Sequence, residues 1–235
     1  NAVGIIPLIM PNDCKITKEE VWQLAQNELE KIDKKTDTTK VCMAVMTSGT
    51  TGIPKIYFRT YESWAGFFGV QNDIFQVTKD SRLFTQGSLA FTGNLNLYLA
   101  QFYAGGTVIA LEAFWPKSWQ QAIEKYHANA IYLIPSKLML LPKVQKEPYK
   151  EIRMILSGSQ SLGIEDAKAL KMIYPNTEII LYYGASELNY ITYVTGQQMN
   201  EKRNLIGKAF PGVTVELKKD EFYIDTAYHV EGITT

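Results

Sequence analysis

Apolar and polar residues follow one another in stretches whose spacing predicts helices and strands. The segment TKEEVWQLAQNELEKI begins with Thr17 and Glu20 at the spacing of a capping box, and its apolar residues recur at helical intervals. This pattern predicts an amphipathic helix over 17–32. The apolar run that ends at Pro11 predicts a strand entering a loop, and the run 41–46 predicts a buried strand.

From residue 82 onward, short apolar runs alternate with segments of helical character. In chain order they are RLFTQ, NLNLYLAQFYAGG, TVIAL, SWQQAIEKYH, AIYLIP, KLMLLPKV, IRMILSG, IEDAKALKMIY and EIILYYG. This alternation is typical of a parallel sheet with flanking helices. The later segment VTVELKKDEFYI predicts an antiparallel hairpin that turns at Lys219 and Asp220. The predicted fold class is α/β, with a small antiparallel β unit near the C-terminal end.

Composition excludes several classes of protein. The 235 residues carry 24 Lys and Arg against 24 Asp and Glu, and this balance disfavours nucleic acid as the main partner. No apolar run approaches the roughly 18 to 20 residues of a membrane span, so no transmembrane segment is predicted. Two cysteines, Cys14 and Cys42, are too few for a disulfide framework, which predicts a reducing, cytoplasmic location.

The segment TSGTTGIPK, residues 47–55, joins two predicted strands and combines hydroxyl groups, two glycines and a lysine. Its N–H groups and hydroxyls can donate hydrogen bonds to phosphate, while Lys55 supplies positive charge. The glycine spacing and Ile56 after the lysine differ from a Walker A motif. An ordinary flexible surface turn is the alternative. The candidate phosphate-binding residues are Thr47, Ser48, Gly49, Thr50, Thr51, Gly52 and Lys55.

Two further polar segments follow predicted strands, LSGSQSL at 156–162 and YYGASE at 182–187. Ligands of open α/β sheets bind beyond the carboxyl ends of the strands, so these segments can supply a stacking ring, hydroxyls for phosphate and a carboxylate for a metal ion. Taken singly, each has a plainer interpretation. A serine-rich turn is more often a helix cap, and a YGxSE string is more often a simple strand exit.

Together and in this order, the three segments resemble the core motifs of the adenylate-forming superfamily, which contains acyl-CoA synthetases, adenylation domains of peptide synthesis and luciferases. The similarity runs from about residue 41 to residue 224. It implies an enzyme that uses ATP and Mg²⁺ to convert a carboxylic acid into an acyl-adenylate. Transfer of the acyl group to the thiol of coenzyme A is the implied second step.

The resemblance also implies roles for individual residues. The loop 47–55 would grip the β and γ phosphates of ATP, Ser186 would contact the α phosphate, and Glu187 would hold Mg²⁺. Lys55, Ser186 and Glu187 are therefore the implied catalytic residues. Tyr183 would stack on the adenine. The other implied nucleotide-binding residues are Ser159, Gln160, Ser161, Tyr182 and Gly184.

The acid pocket is implied at Phe91, Thr92 and Ala185. Phe91 aligns with the family's aromatic or histidine position through its spacing to Gly105. Thr92 stands where amino-acid-activating members usually carry an aspartate, and a neutral threonine cannot pair with a substrate ammonium group. An aryl or medium-length acyl acid is therefore preferred to an amino acid. A core aromatic is the alternative interpretation of Phe91.

The sequence also departs from the family pattern. It ends before the Thr-Gly-Asp motif and before the C-terminal domain that carries the family's catalytic lysine, and Ile56 replaces a usual glycine. These departures predict an excised core or a partial gene product. The predicted divisions are a first α/β lobe with the phosphate loop at 1–80, a second α/β lobe at 81–196, and β strands leading toward the C-terminal domain at 197–235.

Two alternative functions stay open on the sequence. One is adenylation of an amino acid or aryl acid for the thiol of a carrier protein. The other is a non-catalytic nucleotide-binding or interaction module. His127 and His229 have no serine partner in a G-x-S-x-G elbow, which disfavours a catalytic histidine. The remaining partner prediction is a homodimer.

Overall fold

The N-terminal elements form a helix packed on a strand hairpin. The computed structural model describes residues 5–11, 14–31, 40–47, 54–199 and 205–230. Helix α1 (Lys18–Lys31) precedes the antiparallel strands β1 (Val41–Thr47) and β2 (Lys55–Thr60). The amide of Thr17 donates to Glu20 Oε2 at 2.7 Å, and the amide of Glu20 donates to Thr17 Oγ1 at 3.2 Å. The predicted capping box is therefore confirmed.

Helices and strands alternate through the rest of the chain. After β2 come the helices α2 (Tyr61–Trp64) and α3 (Phe68–Phe75), with a 3-10 turn between them. The following helices are α4 (Thr92–Tyr103), α5 (Pro116–Lys125), α6 (Pro135–Leu138), α7 (Leu141–Val144) and α8 (Ile164–Ile173). The strands are β3 (Arg82–Gln86), β4 (Thr107–Leu111), β5 (Ala130–Tyr132), β6 (Met154–Ser157), β7 (Glu178–Ala185), β8 (Asn189–Thr195), β9 (Lys208–Ala209), β10 (Val213–Lys218) and β11 (Glu221–Thr226).

A seven-stranded sheet with the order β4-β3-β5-β6-β7-β8-β9 forms the centre of the fold. The first five strands in this order run parallel, and β8 and β9 add antiparallel pairings at one side. The predicted α/β class with a mostly parallel sheet is confirmed. The antiparallel extension by β8 and β9 was not predicted, although the NYITYVT sequence of β8 is rich in β-branched and aromatic residues.

Apolar side chains cover both faces of this sheet. Along β3, Leu83 joins a core on one face with aromatic residues of α3 and β8, while the next residue, Phe84, joins the core on the other face. Successive strand residues point to opposite faces, so a strand buried on both sides must be apolar throughout. This burial holds the carboxyl ends of the parallel strands at one edge.

The C-terminal hairpin agrees with its prediction. Strands β10 and β11 pair antiparallel, and Lys219 and Asp220 connect them with φ angles of 50° and 65°. Two consecutive positive φ values are typical of a type I′ turn, whose twist matches that of the flanking strands. The small antiparallel β unit is therefore confirmed.

One predicted element is wrong within the described residues. The segment before Pro11 was expected to form a strand, but residues 5–11 contribute a single parallel bridge, between Leu8 and Ala44. Its apolar side chains instead pack against the cluster formed by α1, β1 and β2. In the portion that the structure describes, no helix is long and apolar enough to cross a membrane.

The glycines provide a test of the backbone at the β8–β9 pairing. Gly207 has φ +79°, and an added Cβ there would overlap the carbonyl group of Tyr193. We expect Gly207→Ala to lower the free energy of unfolding by about 2 kcal/mol or more, measured by urea denaturation. Gly69→Ala is the matched control because that Cβ would meet open space on α3, and it should raise the stability by up to about 1 kcal/mol. Similar effects of both changes would contradict the described packing.

Candidate active site

The turn after β7 carries a hydroxyl and a carboxylate that are both hydrogen bonded. Ser186 Oγ lies 2.9 Å from Thr92 Oγ1, which stands at the start of α4. The hydroxyl of Tyr57 donates to Glu187 Oε1 at 2.6 Å. The contacts bring together three segments that are far apart in sequence: β2, the start of α4 and the end of β7. Their side chains meet at the carboxyl edge of the sheet.

Strand β2 directs a lysine toward the same region as Tyr57. Lys55 and Tyr57 are two positions apart and therefore point to the same face of the strand. Lys55 is exposed, and Tyr57 is half-buried. Burial and the Glu187 carboxylate together raise the pKa of Tyr57 above its ordinary value. The phenol therefore stays protonated and keeps donating to the carboxylate at neutral pH.

A buried arginine connects this turn to two other segments. Arg59 on β2 is fully buried, and its guanidinium donates to the carbonyl oxygen of Ser186. It also donates to the carbonyl oxygens of Ser63, at 3.2 Å, and Tyr228, at 2.7 Å. Its Cζ lies 5.2 Å from the centre of the Trp64 ring, a cation–π contact. One cation thus fixes the turn, α2 and the segment after β11.

Three cavities adjoin the turn, and each is named here after one lining residue. The Tyr183 cavity, about 390 Å³, lies between the strand exits at 159–161 and 181–184 and residues 205–206. The Thr47 cavity, about 540 Å³, lies beside Thr47 and Pro54, which flank the segment predicted to bind phosphate. The Trp64 cavity, about 90 Å³, lies between these two. It shares Ser159, Tyr182 and Gly184 with the first and Phe91, Thr92 and Ser186 with the second.

The structure brings together the predicted nucleotide-binding residues that follow β6 and β7. Ser159, Gln160 and Ser161 are exposed and line the Tyr183 cavity, together with Tyr183, whose side chain is 50% exposed. Tyr182 differs because it is buried and its hydroxyl lies 2.8 Å from that of Tyr132. Its ring forms the floor of the cavity rather than an accessible stacking surface.

The predicted acid-pocket residues also lie together. Phe91 and Thr92 line both the Trp64 cavity and the Thr47 cavity, and Ala185 lines the Trp64 cavity. Phe91 is 43% exposed, which argues against its alternative interpretation as a core aromatic. Of the residues predicted to bind phosphate, Thr47 pairs with Lys55 where β1 meets β2. Ser48, Gly49, Thr50, Thr51 and Gly52 lie outside the described residues.

Sequence analysis missed four residues of this site: Tyr57, Arg59, Trp64 and Asn96. Arg59 carried a signal, since it is a charged residue that directly follows the apolar residues IYF in the strand sequence KIYFRT. A fully buried cation usually has a specific set of acceptors. The contacts of the other three residues depend on tertiary packing and left no comparable mark in the sequence.

The acidic groups around the turn bear on the kind of metal it could hold. Among the described residues, no group of three or more His, Cys, Asp or Glu side chains could bind a metal ion unaided. Glu187 is half-buried and accepts a hydrogen bond from the hydroxyl of Tyr57. A single carboxylate suits Mg²⁺, which is commonly bound by one or two carboxylates together with phosphate oxygens and water.

Comparison with known proteins identifies the family. The model of the family described as "AMP-binding enzyme" matches residues 6–232, and the chain belongs to this family. A Bacillus subtilis protein named as the uncharacterized acyl–CoA ligase YhfT is 26% identical over 172 residues, which is 73% of this chain and 36% of that protein. A Staphylococcus haemolyticus protein, provisionally named as the long chain fatty acid–CoA ligase VraA, is 30% identical over 176 residues, 74% of this chain and 37% of that protein. The chain thus spans little more than a third of the length of these curated relatives.

Solved structures show the same fold. O-succinylbenzoate coenzyme A synthetase from Bacillus subtilis, in complex with ATP and magnesium ion, superposes with a TM-score of 0.73 at 18% identity, over 81% of this chain and 42% of that chain. VinN in complex with 3-methylaspartate gives a TM-score of 0.67 at 18% identity, over 81% of this chain and 48% of that chain. At this identity the agreement concerns the fold of the core.

The buried arginine generates a prediction about stability. Arg59→Lys keeps the charge but cannot reach three carbonyl groups with one ammonium in the same geometry. We expect it to lower the free energy of unfolding by about 2 kcal/mol, measured by urea denaturation. Arg153→Lys is the control because Arg153 is exposed, and its effect should stay within about 0.5 kcal/mol. Equal losses in the two variants would show that the Arg59 contacts contribute nothing specific.

Proposed function

We propose that this protein uses ATP to activate a carboxylic acid as an acyl-adenylate and then transfers the acyl group to coenzyme A. The observation that carries the proposal is the arrangement of the three cavities around the Ser186 and Glu187 turn. Ser186 lines both the Thr47 cavity and the Trp64 cavity, while Gly184 lines the Trp64 cavity and the Tyr183 cavity. Three ligand groups can therefore meet along the short segment 184–186.

Each part of ATP has a compartment with suitable chemistry. The exposed ring of Tyr183 offers a stacking surface for adenine in the Tyr183 cavity. The β and γ phosphates would extend into the Thr47 cavity, beside the loop that ends at Lys55. The α phosphate would then lie at Ser186 Oγ, whose hydroxyl can donate a hydrogen bond to a phosphate oxygen. This leaves the Trp64 cavity for the acid.

Glu187 fits the Mg²⁺ that accompanies ATP. Its carboxylate would provide one protein ligand, and the hydrogen bond from Tyr57 orients that carboxylate. The bound ion would neutralise negative charge on the phosphates. Lys55, which is exposed at the start of β2, would also neutralise negative charge on the phosphates through its ammonium group.

The chemical step requires positioning more than proton transfer. An oxygen of the acid carboxylate attacks the α phosphorus, the bond from that phosphorus to the bridging oxygen breaks, and pyrophosphate leaves with the electron pair. Catalysis then consists of holding the carboxylate in line with the leaving group and stabilising the spreading phosphate charge. In the second step, a thiol attacks the acyl carbon and AMP leaves. The acyl–CoA ligase relatives support coenzyme A as the source of that thiol.

We expect Lys55→Ala to slow adenylation much more than it weakens binding of the acid. The Lys55 ammonium would stabilise the negative charge that develops on the phosphates in the transition state. The acid, in contrast, would bind on the far side of Ser186. In the intact protein, kcat for pyrophosphate release should fall by about a hundredfold. The KM for the acid should change by less than about threefold.

Lys168→Ala is the control for the loss of a lysine, because Lys168 is an exposed residue of α8 paired with Glu165. Its kinetics should match those of the unchanged protein. Equal losses of kcat and acid affinity in Lys55→Ala would contradict the assigned role of Lys55.

The divisions at 1–80, 81–196 and 197–235, the cytoplasmic location and the homodimer stay predictions.

A further inference from the structure

The hydroxyl of Thr92 lies against the hydroxyl of Ser186. Their Oγ atoms are 2.9 Å apart, and both residues are half-buried. Thr92 is the first residue of α4 and Ser186 directly follows β7, so the contact joins segments that are 94 residues apart in sequence. A hydroxyl has one proton to donate and two lone pairs that can accept. The direction of this hydrogen bond therefore depends on what else each hydroxyl contacts.

The backbone before α4 leaves the proton of Thr92 available to Ser186. In helices, a threonine hydroxyl can donate to the carbonyl oxygen three or four residues before it. Four residues before Thr92 is Ser88, whose carbonyl oxygen already accepts from the amide of Phe91 at 3.2 Å and from Nδ2 of Asn94 at 3.0 Å. Because both lone pairs of this oxygen are in use, it does not compete for the Thr92 proton.

Close packing fixes the start of α4, and with it the position of Thr92. The next residue, Gly93, lies so close to Tyr132 and Tyr182 that an added Cβ would meet both of their hydroxyl oxygens, that of Tyr182 at 3.2 Å. These two hydroxyl oxygens are themselves 2.8 Å apart in the core. The Thr92 hydroxyl is therefore held in place before any ligand binds, so its ordering costs little on binding.

Ser186 needs such a partner because its side chain is not otherwise held. The guanidinium of Arg59 fixes the backbone carbonyl of Ser186, but serine is not branched at Cβ, and its χ1 angle is less restricted than that of valine, isoleucine or threonine. A hydrogen bond accepted from Thr92 selects one orientation of Oγ. The Ser186 proton then points away from Thr92 and is available to a ligand in the two cavities that Ser186 lines.

We propose that Thr92 is a positioning residue for Ser186: its hydroxyl donates to Ser186 Oγ and thereby directs the Ser186 proton to the α phosphate of ATP. This inference rests on the proposed function, since it takes an oxygen of that phosphate as the acceptor. It also changes the part that Thr92 plays in the acid pocket, because a proton used in this way cannot be donated to the acid. Thr92 then acts on the rate of the chemical step rather than on binding of the acid.

The test measures the single-turnover rate of pyrophosphate release in the intact protein, with saturating ATP and Mg²⁺. Benzoate, hexanoate and dodecanoate are compared first, and the acid that reacts fastest is used. Thr92→Val keeps the shape of the side chain and Thr92→Ala makes it smaller, and both remove the hydroxyl. We expect each to lower the rate about tenfold, because the transition state loses an oriented donor. The acid concentration that gives half the maximal rate should change by less than about threefold.

Two further variants separate a lost hydrogen bond from a general disturbance. Thr92→Ser keeps the hydroxyl, so its rate should stay within about threefold of that of the unchanged protein. Thr214→Val is the matched control, because Thr214 is an exposed residue of β10 and valine is favoured in strands. Its rate should equal that of the unchanged protein.

A double-mutant cycle shows whether Thr92 acts through Ser186. In Ser186→Ala there is no hydroxyl to orient, so adding Thr92→Val should change the remaining rate by less than about twofold. A tenfold loss in both backgrounds would overturn the inference. Undiminished rates in both Thr92→Val and Thr92→Ala, or a loss of acid affinity as large as the loss of rate, would overturn it as well.

Failure of the proposed function gives a different result. In that case none of the three acids would release pyrophosphate in the unchanged protein, and the inference would fall with it. Failure of the inference alone leaves the unchanged protein active and removes only the expected differences among the Thr92 and Ser186 variants.

Discussion

The guanidinium of Arg59 is the contact on which the candidate site depends. It is fully buried and holds the carbonyl oxygens of three separate segments, among them that of Ser186. Removing such a cation would leave these carbonyl groups without their donor, and keeping it buried requires all of them to stay in place. The turn that carries Ser186 and Glu187 is thereby fixed to β2, the strand that begins with Lys55.

This connection explains how distant segments of the chain cooperate. The parallel strands deliver the segments after β6 and β7 to one edge of the sheet, and the arginine attaches the β1–β2 hairpin to that edge. Val230 adds a further link, because its amide donates to the carbonyl oxygen of Glu187 at 2.8 Å. The three cavities exist because these segments approach the turn from different sides.

Much of this arrangement was predictable because it depends on local pattern. Alternating strands and helices, the capping box at Thr17 and the turn at Lys219 and Asp220 all follow from spacing and residue type, and the motifs indicated the candidate site residues. The buried role of Tyr182 and the contacts of Arg59, Trp64 and Asn96 did not follow, since each depends on which strands become neighbours. Strand β8 was missed because its sequence directly continues the YYGASE segment.

The most direct test of the account is a crystal structure of the intact protein with ATP and Mg²⁺. The account predicts adenine against Tyr183, the α phosphate within hydrogen-bond distance of Ser186 Oγ, and the β and γ phosphates between Lys55 and the loop that precedes it. Nucleotide bound away from the Ser186 turn, or with its phosphates directed into the Trp64 cavity, would contradict the account.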